Sequence, residues 1–130
     1  MSRAEDMGVL INLENVYDRT PEMILALIEA ISSNSLGFCL DVGHMNAFAD
    51  APLSEWLDML GPHLREIHLH DNDGQKDVHG PIGSGTVPFE ELFRCLYDGG
   101  IRPLLTLEPH EEESLWRSLE NLEKLWPWSD

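Results

Sequence analysis

The chain has 130 residues, with 8 Lys and Arg against 24 Asp and Glu, a formal net charge of −16. That balance excludes a generic nucleic-acid binder, which needs clustered cations to release counterions from phosphate, and it argues against an anionic membrane surface as partner. A hydrophobic share of 42% is that of an ordinary globular chain, and the length fits one domain.

Cys39 in Phe38-Cys39-Leu40 and Cys95 in Arg94-Cys95-Leu96 are the only cysteines, and both are expected as buried reduced thiols. Met1 to Met7 is polar and charged, unlike a secretory leader, and no apolar run approaches the ~20 residues of a membrane span. The expectation is a soluble cytoplasmic protein.

In chain order, a first strand is expected over Gly8 to Leu13, running into Glu14. Thr20-Pro21 then reads as a helix N-cap with proline at the first helical position, followed by Ile24, Leu27, Ile28 and Ile31 on one stripe, and Asn34 as a stop. A second strand runs from Leu36 to Leu40 and ends on Asp41; a helix over Leu53 to Leu60 stops at Gly61-Pro62. A third strand, Arg65 to Leu69, leads into a polar loop from Asp71 to Thr86, whose glycines suggest a mobile lid or substrate loop. Pro88 opens a helix with Phe89, Leu92, Phe93 and Leu96 on one face, closed by Gly99-Gly100. The last strand, Ile101 to Leu107, ends on Glu108, and a helix over Glu111 to Leu125 is expected to turn Leu115, Leu119, Leu122 and Trp126 inward. Strands alternating with helices imply an α/β fold of four βα units, with parallel strands and right-handed crossovers, in a single domain over 1–130.

Glu14, Asp41, His68 and Glu108 fall at or next to the C-terminal ends of four different strands, the edge where parallel α/β folds collect ligands. Three crowded carboxylates repel unless a cation lies between them, and three oxygens with one imidazole suit Mn²⁺, Mg²⁺ or Zn²⁺. His44 follows Asp41 closely enough to be a fifth ligand or to meet substrate. His68 and His70 share a strand face if the strand continues. Asp77 and His79 lie in the long loop; His63 reads as structural, and His110 could line the rim.

These stretches resemble the C-terminal half of the xylose-isomerase-like TIM barrels, a superfamily of sugar isomerases and epimerases that also holds endonuclease IV. The resemblance rests on Leu-Glu-Asn at 13–15, Asp-Val-Gly-His at 41–44, His-Leu-His-Asp-Asn-Asp-Gly at 68–74, Asp-Val-His-Gly-Pro-Ile-Gly-Ser-Gly at 77–85 and Leu-Glu-Pro at 107–109. It implies strands five to eight of the barrel, one divalent ion held by Glu14, Asp41, His68 and Glu108, and Glu14 and Glu108 as the paired acid and base of a sugar or keto-acid isomerase or epimerase. His44, His70, Lys76, Asp77 and His79 are then the candidates for substrate contact. His68 is preferred to His70 as ligand for its nine-residue step to Asp77, and the choice stays open. The Asp77-x-His79 pair is similar to the additional metal ligands of endonuclease IV, a phosphodiesterase reading that the negative charge opposes. The third alternative is a non-catalytic half-barrel that associates to complete its fold. Both faces of the strands read as apolar, as in Val9-Leu10-Ile11 and Leu104-Leu105-Thr106-Leu107, so the concave face is expected to be apolar and to drive the chain into a homo-oligomer, a dimer in the simplest case.

Overall fold

The structure is a computed structural model that describes residues 1–128. Its elements are α1 (Ser2–Met7), β1 (Ile11–Glu14), α2 (Glu22–Ile31), β2 (Leu36–Asp41), α3 (Val42–Phe48), α4 (Leu53–Leu60), a 3-10 turn (Gly61–His63), β3 (Leu64–Leu69), α5 (Phe89–Asp98), β4 (Leu104–Leu107) and α6 (Glu112–Leu125). The four strands form one parallel sheet in the order β1-β2-β3-β4. Crossover helices cover one face, as parallel pairing requires.

Alternation along the strands sorts the side chains. Leu13, Phe38, Leu40, Ile67, Leu69, Leu105 and Leu107 point to the helices and join a core with Ile28, Trp56, Leu92, Phe93 and Leu96. Asn12, Glu14, Cys39, Asp41, Glu66, His68 and Thr106 share the opposite, concave face, where their side chains meet one another. One irregularity sets this arrangement. Phe38 pairs with Leu64 but Cys39 pairs with Glu66, so Arg65 is an extra residue in β3. A one-residue insertion inverts every side chain beyond it. Without the bulge, Glu66 and His68 would point into the apolar core.

Several expectations are corrected. The concave face is polar, not apolar. The exposed apolar side chains lie at the sheet edges, with Val9, Leu10 and Ile11 at β1 and Leu104 at β4, on helix surfaces, and in loops at Val16, Tyr17 and Val78. In α6 only Leu122 of the expected stripe is buried; Leu115, Leu119 and Trp126 are exposed beside the open β4 edge. In α2, Ile24 and Ile28 are buried but Leu27 and Ile31 are exposed. Cys39 is buried and Cys95 only partly so, and both are free thiols. The first strand begins at Ile11, because Ser2–Met7 is a helix closed by Gly8 at φ 64°, a conformation glycine adopts freely. Thr20 gives no side-chain cap; the helix starts at Glu22 and stops at Ser32 rather than Asn34. The last strand is short, Leu104–Leu107. Among the described residues no helix is long and apolar enough to cross a membrane.

Candidate metal centre

Asp41 anchors the site. It ends β2 and caps α3, its Oδ1 accepting from the His44 amide at 2.7 Å. The Asn15 side chain pairs with the Asp41 backbone in both directions, donating to its carbonyl and accepting from its N–H at 2.9 Å each. Asn15 thus extends the β1–β2 ladder past Glu14 and holds the two carboxylate-bearing strand ends in register. Asp41 is fully buried, and burial opposes its charge. The His70 ring outweighs that cost: Nε2 lies 2.9 and 3.0 Å from the two carboxylate oxygens, and the carboxyl is held below its ordinary range.

His68 stands beside it on β3. Its Nδ1 lies 3.5 Å from Glu14 Oε1, 3.8 Å from Asp41 Oδ2 and 3.4 Å from Glu108 Oε2. That nitrogen is buried with no hydrogen-bond partner. Ligands about 2.1 Å from one cation in a tetrahedral set lie roughly 3.4 Å apart, and His68 Nδ1 stands close to that distance from one oxygen of each carboxylate, while among the described residues the sets that contain these carboxylates and whose ligand atoms all lie within 4.8 Å of one another are Glu14, Asp41 and His44, and Asp41, His70 and Glu108. The structure therefore brings together the four expected ligand residues. His70, with Asp41 and Glu108, supplies a second nitrogen within reach of the same carboxylates.

The expected substrate-contact residues form an adjoining cluster, with one exception. His44 Nδ1 donates to the Asn15 carbonyl at 3.0 Å and His79 Nδ1 to the Glu108 carbonyl at 2.8 Å, so each ring turns Nε2 to Asp77 Oδ2, 3.1 Å away in both cases. His70 Nδ1 and Asp77 Oδ1, both buried without hydrogen bonds, lie 3.7 Å apart. The His70 and His79 rings stack at 3.7 Å and His110 stacks on His79 at 4.0 Å, while Lys76 stands exposed outside the cluster. Burial disfavours a charged His79, but the Glu108 carbonyl and Asp77 outweigh it and raise its pKa. His63 sits in the 3-10 turn at the far end of β3.

The long loop is pinned rather than free. Buried Asp71 accepts from the backbone N–H groups of Asn72, Gly83, Gly85 and Val87 at 2.8 to 3.1 Å, and exchanges two backbone bonds with Gly80. Asn72 reaches back to the Gly43 carbonyl at 2.8 Å. Sequence reasoning missed Asn15, Asn72, Asp71 and Gly43. A Cβ on Gly43 would lie 1.9 Å from the His70 ring, so that position admits only glycine while the ring stays where it is.

A half-ring of parallel βα units with carboxylates and imidazoles at the strand C-termini defines one half of a (β/α)₈ barrel with its ligand-binding rim. Residues 1–126 match the xylose isomerase-like TIM barrel family, and the chain belongs to it. Uncharacterized protein MJ1311 of Methanocaldococcus jannaschii is 34% identical over 128 residues, covering 93% of this chain and 44% of that protein. The ketose 3-epimerase of Arthrobacter globiformis is 32% identical over 109 residues, 76% of this chain and 36% of the enzyme. A D-tagatose 3-epimerase-like protein superposes with a TM-score of 0.85 at 30% identity, over 95% of this chain and 49% of its own. The TTHB071 protein of Thermus thermophilus, soaked with ZnCl2, superposes with a TM-score of 0.79 at 33% identity, over 95% of this chain and 47% of its own. The chain spans about half the length of the proteins it matches, or less.

Proposed function

We propose that this chain carries the metal-binding, proton-transferring half of a divalent-metal-dependent sugar isomerase or epimerase. The observation that carries the reading is the unpartnered His68 Nδ1 facing Glu14, Asp41 and Glu108. The names of its relatives, a ketose 3-epimerase and a fructoselysine 3-epimerase, support a small sugar or keto-sugar as substrate. The three carboxylates and one imidazole of the His68-Leu69-His70 pair hold the ion. When bound, it supplies Lewis acidity to adjacent substrate oxygens. Glu14 and Glu108 stand on the two outer strands, 34% and 41% exposed, on either side of buried Asp41, and are open to a substrate. One takes the proton from the carbon beside the carbonyl and the other returns a proton on the opposite face. Asp41 is closed to solvent and serves as a fixed ligand. His44, His79 and Asp77 orient substrate hydroxyls along the rim.

The test is elemental analysis of protein purified without chelators, followed by the variants. Glu14→Gln and Glu108→Gln each lower metal content and abolish exchange of the substrate proton with solvent deuterium. A double variant with unchanged metal stoichiometry overturns the site. His68→Gln and His70→Gln, compared singly, identify the nitrogen donor.

A second reading is favoured by the His44, His70, Asp77 and His79 cluster, whose ligand atoms lie within 4.8 Å of one another. A second cation there suits metal-assisted phosphodiester hydrolysis. Two ions per chain favour it; one favours the epimerase.

A further inference from the structure

The floor beneath the carboxylates holds an acid that the proposed reaction does not use. Glu66 lies two residues before His68 on the same face of β3. Its Oε1 accepts from Thr106 Oγ1 at 2.8 Å and its Oε2 from Asn12 Nδ2 at 3.4 Å, so residues of β4 and β1 hold it in place. Oε1 lies 3.6 Å from His68 Nε2. The two nitrogens of this imidazole therefore face opposite acids: Nε2 faces Glu66, and Nδ1 faces Glu14, Asp41 and Glu108.

A neutral imidazole has one proton, and a metal bond needs the bare nitrogen. Three carboxylates on the Nδ1 side draw the proton to Nδ1 and would block that atom as a ligand. Glu66 is the only acid within ion-pair distance on the Nε2 side among the described residues. Metal-bound histidines characteristically give their second N–H to such a carboxylate, which sets both tautomer and ring orientation. We infer that Glu66 is a positioning residue for the candidate centre: it keeps the His68 proton on Nε2 and turns the bare Nδ1 toward Glu14, Asp41 and Glu108. The inference rests on the metal centre proposed above.

The test uses the full chain, labelled with ¹⁵N at histidine and freed of metal. Long-range proton–nitrogen correlation reads the tautomer of His68, its signals assigned by their loss in His68→Gln. The wild type is expected to show Nε2–H. Glu66→Gln is expected to move the proton toward Nδ1 and to weaken Zn²⁺ or Mn²⁺ binding by about 10- to 100-fold in calorimetric titration. Glu66→Asp, which keeps the charge, restores part of both. Thr106→Val, which frees the carboxylate without removing it, gives a smaller shift in the same direction and serves if Glu66→Gln does not fold. A merely structural role lowers thermal stability and leaves the tautomer unchanged. A folded Glu66→Gln chain with wild-type tautomer and affinity overturns the inference. If the wild type takes up no cation and Glu66→Gln still moves the proton, the metal centre falls while the Glu66–His68 contact stands.

Discussion

The inner strands β2 and β3 and the outer strands β1 and β4 carry the same chemistry in different settings. Asp41 on β2 is wholly buried, backbone-paired to Asn15, bonded to His70 and caps a helix. Glu14 and Glu108 on the outer strands are a third or more exposed and bear no comparable set of bonds. A strand with neighbours on both sides fixes its functional group within the fold. A strand at an open edge presents its group and leaves its support to whatever pairs with that edge. On the reading proposed above, the inner residues would hold the ion and the outer ones would stay accessible for proton transfer.

Gly43→Ala breaks this contrast at the C-terminal end of the inner strands. The added Cβ meets the His70 ring at 1.9 Å, and the ring must leave its place against Asp41. Overpacking of this kind costs about 1–3 kcal/mol. Metal affinity is expected to fall about 10- to 100-fold. Chemical denaturation and calorimetric titration read the two effects. Gly43→Ala with wild-type affinity would show that His70 and Asp41 are not a unit.

Asp71→Ala tests the loop that follows the inner strand β3. It strips the buried N–H groups of Asn72 and Val87, and the partly buried ones of Gly83 and Gly85, of their acceptor. Buried donors left unpaired cost about 1–3 kcal/mol each before relaxation, so a loss of roughly 2–4 kcal/mol is expected. Amide exchange over 79–87 should accelerate more than that of β2. Unchanged protection there would mean the loop is held by other contacts.

How much of this was legible in the sequence follows the same inner and outer division. The strand ends at Glu14, Asp41 and Glu108 were readable because apolar runs stop on acids, and α5 was readable because Phe89, Leu92, Phe93 and Leu96 repeat at helical spacing and are all buried. The Arg65 bulge was not, since nothing in Leu-Arg-Glu-Ile marks an extra residue; pairing with β2 creates it. The α3 helix was missed although Asp41 is a regular capping residue, because Gly43 reads as a breaker. Periodicity reports an apolar face and not its partner, so the α2 stripe is only half buried and the α6 stripe, expected to turn inward, is buried only at Leu122. Leu27, Ile31, Leu115 and Leu119 lie on helices at the open ends of the sheet. The apolar concave face was the largest misreading, and its cause is again the bulge together with the polar positions of alternating strands.

The outer strands give a third prediction. We propose that the exposed Val9, Leu10, Ile11 and Leu104 pair with further strands, supplied by a second copy or by a complementary half-barrel. A second copy would bring its own acidic concave face against this one, so self-association is expected to strengthen when divalent ions are added. Sedimentation at micromolar concentration checks this. Ile11→Lys or Leu104→Lys should shift any dimer to monomer without loss of metal at Asp41. A wild-type chain that stays monomeric with and without metal would rule out the second copy as partner.

The smallest effect concerns Cys39, on the concave side of β2. Burial, and after it Glu66, Glu14 and Asp41, push the thiol up to about 12 from the ordinary 9.0. The folded state therefore favours the protonated thiol. The resulting stability is fully present below the ordinary thiol range and is lost as pH rises from about 9 toward about 12. Cys39→Ala removes that dependence, so the variant should lose less stability than the wild type over this alkaline window, read as the difference in denaturation midpoints. The two cysteines also give an internal comparison at pH 8. Cys95, partly exposed on α5, should react with iodoacetamide, while Cys39 stays unmodified until the chain unfolds. Outer-strand acids contribute to the field on this inner thiol, so Glu14→Gln should raise its reactivity slightly, and less than Glu66→Gln does. Alkylation of Cys39 at the rate of Cys95 would show that the inner strand is as open as the edges, and the contrast between the two pairs of strands would fail.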